Sequence, residues 1–115
     1  MADYPEIQGK VPHSWPEVYI AFALEKYRIP FDYQYVLFQT PGVRGAIIVD
    51  FVVRNPFPQP LEVYGEHWHT GKLSADDRLK LQLTQKYFNR EVLIVWDYEC
   101  DDQEKADQWV KEHIA

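Results

Sequence analysis

The sequence predicts an α/β domain in which a mixed four-stranded sheet is flanked by helices. Helical and extended patterns follow one another in the order helix, three strands, helix, strand, helix. Two of the strand segments, Ala46–Val53 and Val92–Trp96, are apolar on both faces except for one acid, which is typical of strands covered on both sides. With 115 residues, 46% of them hydrophobic, the chain can bury one core. We therefore expect one domain over residues 1–115, with an irregular arm at 1–13.

The first helix is indicated by a start signal in the segment Ser14–Glu17. Serine is a good N-cap, proline suits the first turn, and Glu17 completes an S-x-x-E capping box. Apolar residues then recur at helical spacing. The helix should end near Arg28, because the residue before Pro30 disfavours helical geometry.

Three strands are expected next. Tyr33–Phe38 is rich in aromatic and β-branched residues, and Ala46–Val53 has the pattern of a central strand. We interpret Asn55–Pro60 as a turn, because its three prolines interrupt strand pairing. Leu61–Tyr64 then forms a short third strand.

The second half of the chain predicts a helix, a strand and a final helix. Ser74 begins a helix that runs toward Asn89, a plausible C-terminal cap, and Val92–Trp96 is the clearest strand of the sequence. Asp101 or Asp102 caps the last helix. The apolar face of that helix comprises Ala106, Trp109, Val110, His113 and Ile114.

The charge balance argues against a protein that binds nucleic acid through bulk electrostatics. The formal net charge is −6. Residues 97–112 hold seven acids and two bases, a balance of −5, so eleven acids and ten bases remain before them. Most of the acidity therefore belongs to the C-terminal segment.

Cysteine usage and hydropathy exclude several classes of protein. A single cysteine, Cys100, allows neither an internal disulfide nor a cysteine-cluster zinc site, and its acidic neighbours should raise its pKa. No run of eighteen apolar residues predicts a membrane span, and the N-terminal residues lack the form of a signal peptide. We expect a cytoplasmic protein that does not associate with membranes.

The residues that carry chemistry are concentrated between positions 46 and 71. Asp50 lies inside one apolar strand and Glu62 inside the next, and buried carboxylates must be paired, hydrogen-bonded or bound to a metal. His67 and His69 follow the second of these strands. This pattern is typical of a metal-assisted hydrolytic site.

Four segments share the types and spacing of a known family: Asp50–Val53, Val63–His69, Asp76–Arg78 and Val92–Trp96. The set resembles the very-short-patch-repair (Vsr) mismatch endonucleases and the related EDxHD homing endonucleases. The order α-β-β-β-α-β is that of the restriction-endonuclease-like core, and Asp50 with Glu62 falls where the PD-(D/E)xK motif of that superfamily lies. The resemblance implies an αβββαβ core followed by a C-terminal helix.

The resemblance implies a magnesium site between the second and third strands. Asp50 would supply an oxygen ligand to Mg²⁺, for which Mn²⁺ can substitute. Glu62 would complete the site, or, as in the Vsr branch, the backbone carbonyl of Val63 would do so. The alternatives are a buried aspartate that is hydrogen-bonded to a helix N-terminus and a Glu62 that faces solvent near the end of the sheet.

The catalytic groups implied by the family lie on three different segments. His69, in the Trp-His pair, would be the general base that activates water. Glu17 would orient water or metal from the first helix, although the capping box alone also explains it. Asp77, or else Asp76, would face His69, although acids in a first helical turn are also favoured by the macrodipole.

DNA contacts are expected from the loop after the third strand and from the second helix. The candidates are His67, Trp68, Lys72, Arg78 and Lys80. Trp68 could wedge between bases. The basic residues of the helix form no tight stripe, so DNA affinity should be weak, or another partner or domain should supply recognition. The sequence neither requires nor excludes a homodimer.

The chain departs from the Vsr pattern at two points. Glu66 replaces one of the cysteines that hold structural zinc in those enzymes and the other ligands are absent, so no structural zinc is expected. The usual lysine of the superfamily is replaced by Tyr64. The resemblance therefore implies a minimal Mg²⁺-dependent DNA endonuclease or nickase, for which a phage or mobile element is an expected source. A Holliday-junction resolvase and a catalytically inactive nucleic-acid- or protein-binding module of the same fold are the alternatives.

Overall fold

The order of helices and strands is seen in a computed structural model that describes residues 3–37, 47–65 and 75–115. The expected order, αβββαβ followed by a C-terminal helix, is confirmed. The elements are α1 (Trp15–Lys26), β1 (Phe31–Val36), β2 (Ile48–Arg54), β3 (Pro58–Tyr64), α2 (Ala75–Phe88), β4 (Leu93–Trp96), a 3₁₀ turn (Asp97–Glu99) and α3 (Gln103–His113).

The four strands form one mixed sheet in the order β1-β2-β3-β4. β1, β2 and β3 are antiparallel to their neighbours, whereas β4 runs parallel to β3, as a connection through a helix allows. The larger core cluster joins α1 and α3 to one face of the sheet. A smaller cluster, which includes Val52, packs with Leu83 and Phe88 of α2 on the other face. The predicted mixed sheet flanked by helices is therefore confirmed.

β3 begins three residues earlier than expected. The sequence predicts a turn over Asn55–Pro60, but Pro58 lies opposite Arg54 and Pro60 lies opposite Val52 in the ladder. The prediction was wrong for this part because β4 joins β3 only from Leu61 onward. The two prolines thus lie where β3 has a neighbour on one side, a setting that tolerates a missing N–H.

The helix ends follow the sequence signals, except that Ser14 and Glu17 do not form the expected capping box at the start of α1. Asn89 has a φ of 53°, and the N–H of Arg90 donates to the carbonyl of Gln85 at 3.2 Å, so α2 ends as expected. Asp102 is the N-cap of α3, where its side chain accepts a hydrogen bond from the N–H of Lys105 at 2.8 Å. No helix in the described ranges is long and apolar enough to cross a membrane.

The N-terminal arm has little regular structure, but its side chains bind the outer edge of β1. The Gln8 side-chain amide donates to the carbonyl of Phe31 and accepts from the N–H of Tyr33 at 2.8 Å. The Lys10 ammonium donates to the carbonyl of Tyr33 at 2.8 Å. A tight turn with Gly9 at a φ of 78° joins these two side chains, so polar groups occupy an edge that would otherwise be free.

Candidate functional site

Asp50 lies at a point in β2 where the regular alternation of side chains between the two faces of the sheet is interrupted. Tyr33 belongs to the cluster under α1 and Tyr35 to the cluster under α2, although residues two apart in a regular strand share a face. Gln34, which lies between them, has a φ of 53°. On β2, Phe51 and Val49 are divided between the same two clusters, with Asp50 between them. Asp50 can therefore act on groups from both faces of the sheet.

The carboxylate of Asp50 is bound to the backbone of β3. The N–H of Val63 donates to Asp50 Oδ2 at 2.8 Å. Because Phe51 pairs with Leu61, continuing the antiparallel register brings Asp50 opposite Glu62. The donor is thus a strand N–H and not the helix N-terminus that was considered as the alternative, and a second carboxylate lies beside Asp50.

Glu62 is buried, with 2% of its surface exposed. The Lys80 ammonium lies 3.0 Å from Glu62 Oε1. Burial raises the pKa of Glu62 well above its ordinary value, and the negative charge of Asp50 and a hydrogen bond to it act in the same direction, while Lys80 opposes them. A solvent-facing Glu62, the alternative left open by the sequence, is thus excluded.

Glu17 does not form the expected capping box. Ser14 is the N-cap of α1, but its side chain makes no capping hydrogen bond, and its hydroxyl instead donates to Glu17 Oε2 at 3.0 Å. The hydroxyl of Tyr33 donates to Glu17 Oε1. The capping-box prediction was wrong because both oxygens of this carboxylate are engaged inside the protein by side chains.

The environment of Glu17 connects it to Asp50. Only 5% of Glu17 is exposed, and this burial raises its pKa. The hydrogen bond from Tyr33 lowers the pKa, while the charge of Asp50 raises it. Glu17 therefore approaches the site from α1, as the family resemblance implies.

Tyr33 is a site residue that the sequence did not reveal. It is fully buried, and burial followed by its contact with Glu17 raises the pKa of its phenol. An aromatic residue in a strand normally indicates core packing, and Tyr33 does pack against Phe51 with ring centroids 5.1 Å apart. No local signal distinguishes it from a purely structural residue.

The first turn of α2 brings a fourth acid to the site. Burial raises the pKa of Tyr64, and the charges of Glu62, Asp77 and Asp50 act in the same direction. Asp76 is exposed, whereas Asp77 is half-buried. Asp77 is thus close enough to the end of β3 for its charge to raise the pKa of Tyr64, and the choice between Asp76 and Asp77 as a site residue stays a prediction.

Lys80 lies at the site, although the sequence suggested only a DNA contact. Lys80 follows Asp77 by three residues, a spacing that puts both side chains on one side of a helix. That spacing places Lys80 on the same side of α2 as Asp77, but it does not reveal the contact with Glu62, which lies 18 positions earlier in the chain. Arg78 is exposed, as a DNA contact requires, and its role stays a prediction.

Four of the predicted site residues lie outside the described residues. They are His67, Trp68, His69 and Lys72. The roles expected for them, above all that of His69 as general base, stay predictions.

The described part of the site offers two carboxylates to a metal ion. In residues 3–37, 47–65 and 75–115, no group of three His, Cys, Asp or Glu side chains is arranged to bind one. Asp50 and Glu62 nevertheless form an adjacent carboxylate pair, and Mg²⁺ typically takes one or two carboxylates and completes its shell with water and phosphate. Asp50 and Glu62 are therefore the described side chains that could hold Mg²⁺.

Cys100 does not belong to this site. It is buried, and burial raises its pKa to about 12, with the charges of Asp97, Glu99 and Asp101 as further causes. The predicted direction is confirmed, but burial outweighs the acidic neighbours. A thiol with this pKa is a poor nucleophile and a poor metal ligand at neutral pH.

Comparisons with known proteins assign no family to the chain, so only its fold and site describe the class of the domain. No protein-family model matches the chain, and neither the curated proteins nor the solved structures contain a significant match. The molecule is thus defined as an α/β domain with a mixed sheet. Its distinguishing feature is a group of four acids, three of them on α1, β2 and β3 and the fourth at the start of α2, accompanied by one lysine.

Proposed function

We propose that the protein is a metal-dependent DNA endonuclease or nickase of the Vsr/EDxHD type, which hydrolyses phosphodiester bonds. The observation that carries the proposal is the pairing of Asp50 with the buried Glu62 on adjacent strands, within electrostatic reach of Glu17. The resemblance to this family selects Glu17 and Asp50 from the sequence, whereas the position of Glu62 is apolar in the Vsr branch.

The energetic cost of this arrangement supports a functional reading. Like charges held together in a buried position destabilise a fold unless a cation or proton compensates them. The pKa of Glu17 and that of Glu62 are both raised by burial and by the charge of Asp50. Groups of acids with mutually perturbed pKa values are common at catalytic sites.

Asp50 and Glu62 would hold Mg²⁺, and the N–H of Val63 keeps the Asp50 carboxylate oriented toward β3. The ion, when bound, supplies polarisation of the phosphoryl oxygens and stabilises the leaving oxygen. Glu17 is fixed by hydroxyl donors from Ser14 and Tyr33, so its carboxylate can orient a water molecule without moving.

Proton transfer would depend on His69. An imidazole with a pKa near neutrality can accept a proton from the attacking water, and Asp77 at the start of α2 would orient it. The net charge of −6 predicts weak binding to DNA, so a partner, a second copy or a further domain would strengthen it. The cytoplasm is the proposed compartment, in keeping with the single cysteine of the chain.

Nicking of supercoiled plasmid with Mg²⁺ or Mn²⁺ tests the proposal. We expect the wild-type protein to produce open circles only with metal and Asp50→Asn to lose at least about 100-fold in rate, because removing a catalytic electrostatic group costs this much. Asp32→Asn is the matched control, since Asp32 is a half-exposed β1 acid that is paired with Arg54 and with none of the site acids. This variant should cleave like the wild type.

Each other outcome of this assay has a definite meaning. Equal cleavage by all three proteins without metal would identify a contaminant and contradict the proposal. Cleavage restricted to four-way junctions would favour a resolvase. DNA or protein binding without any cleavage would favour an inactive module of the same fold.

A further inference from the structure

Lys80 is a cation that the protein itself supplies to the carboxylate pair. Its ammonium reaches from α2 to within 3.0 Å of Glu62 Oε1. The Glu62 side chain is 3% exposed, whereas the Lys80 side chain is 33% exposed, so one end of this ion pair faces the interior and the other is open to solvent. A lysine in this position can leave its partner without crossing the core.

The oxygens of the two carboxyl groups are already divided among different partners. Asp50 Oδ2 accepts from the N–H of Val63, and Glu62 Oε1 binds Lys80. Asp50 Oδ1 and Glu62 Oε2 lie outside these two contacts, and a hydrogen bond links the two carboxyl groups. A divalent cation between the carboxylates would therefore share Glu62 with a positively charged neighbour.

We propose that Lys80 is a built-in counter-ion that competes with the divalent cation for Glu62. In the absence of metal, the ammonium compensates the charge of the carboxylate pair. When the metal binds, the ammonium leaves Glu62 Oε1 and turns toward solvent, where it can meet an anionic phosphodiester. This inference rests on the proposed function, because it concerns the same carboxylate pair.

The physical basis is the difference between the two cations. Mg²⁺ requires oxygen ligands at about 2.0–2.1 Å in near-octahedral geometry. An ammonium is a compact charge on a flexible four-carbon stem, so it can move while a metal ligand cannot. Two cations on one carboxylate repel each other strongly in a partly buried site, so removal of the lysine charge should favour the metal.

Calorimetric titration with Mn²⁺ at low ionic strength measures this competition directly. We expect Lys80→Met to bind Mn²⁺ at least about tenfold more tightly than the wild type, a difference that calorimetry resolves. Lys86→Met is the matched control, because Lys86 is an exposed lysine of the same helix, and it should bind as the wild type does. Asp50→Asn should abolish binding, which assigns the heat to this site.

A second measurement uses the wild-type protein. It is needed because Lys80→Met leaves the buried Glu62 without its lysine partner, which can itself alter the site. The NMR signals of the Lys80 side chain, assigned by comparison with Lys80→Arg, should move to the position of a solvent-exposed lysine when Mg²⁺ is added. The signals of Lys86 should stay unchanged.

The outcomes distinguish this inference from the proposed function. If the wild type binds Mn²⁺ through Asp50 but Lys80→Met binds equally or more weakly, the competition is refuted and the metal site stands. Lys80 signals that ignore saturating Mg²⁺ refute it in the same way. If none of the proteins binds Mn²⁺, the metal-dependent function and the competition both fail.

Discussion

Tyr33→Phe tests whether the buried hydrogen bond to Glu17 holds that carboxylate in the site. The substitution removes the phenolic hydroxyl and keeps the ring, which packs against Phe51. Tyr33 is 0% exposed and Glu17 is 5% exposed, so water cannot easily replace the lost donor. Ser14 still donates to the other carboxylate oxygen.

The magnitude follows from the charge on the acceptor. A hydrogen bond to a charged group contributes about 1.5–3 kcal/mol, against about 0.5–1.5 kcal/mol for a neutral one. Because Ser14 remains, we expect Tyr33→Phe to lower the free energy of unfolding by about 2 kcal/mol at pH 8. At pH 4, which is below the ordinary pKa of 4.5, the hydrogen bond joins mostly uncharged groups, so the loss should fall to about 1 kcal/mol.

The direction of this pH dependence follows from the raised pKa of Glu17. Its ordinary value is 4.5, and in the folded protein the pKa lies above that value. The stabilising contribution of the proton is therefore complete below about pH 4.5 and is lost as pH rises through the folded-state pKa. The Tyr33 hydroxyl favours the charged form, so removing it raises the pKa further and enlarges the loss at high pH.

Urea unfolding of the wild type and Tyr33→Phe at pH 4, 6 and 8 measures these differences. Tyr35→Phe is the control, because the Tyr35 hydroxyl lies 3.3 Å from the Tyr87 hydroxyl in an exposed contact between neutral groups. It should cost less than about 0.5 kcal/mol at every pH. If Tyr33→Phe also costs less than about 0.5 kcal/mol, or if its cost does not change with pH, the Tyr33 hydroxyl does not stabilise a buried, charged Glu17.

Two further predictions concern the other bound carboxyl group and the N-terminal arm. The pKa of Glu62 is raised above its ordinary 4.5, so wild-type stability should decline as pH rises from about 5 to 9. Glu62→Gln should flatten that decline in urea unfolding, and an unchanged slope would contradict the burial of an ionisable group there. Gln8→Ala removes the acceptor of the Tyr33 N–H, so that amide should exchange with solvent at least about tenfold faster in NMR hydrogen exchange, since the lost bond controls local opening. Unchanged exchange at Tyr33 would show that the arm does not protect the edge of β1.

The order of elements was predictable because it depends on short-range patterns. Residues such as Asn89 and Asp102 act within a few positions of themselves, and the structure confirms both as helix ends. The start of β3 was not predictable in the same way. Pro58 and Pro60 disfavour pairing in a central strand, and only the position of β4 reveals that their segment has a single neighbour.

The candidate site was predictable in its acids and not in the groups that bind them. Asp50 and Glu62 stand out because charged residues interrupt apolar strands, which is a property of the sequence alone. Tyr33 and Lys80 do not stand out, because an aromatic strand residue and a helical lysine have ordinary explanations. Their roles arise from contacts across 16 and 18 positions of the chain, and no local pattern reports such distances.

Ser14–Glu17 illustrates the same division within four residues. The sequence determined that a helix begins there, because the fixed backbone angle of proline suits the first helical turn. Only the tertiary structure decided where the Glu17 carboxylate is bound, since a hydroxyl from β1 competes for it and burial makes that hydrogen bond stronger. Local backbone preferences are encoded by neighbours in the chain, whereas the partner of a buried charge is selected by which strands and helices pack together.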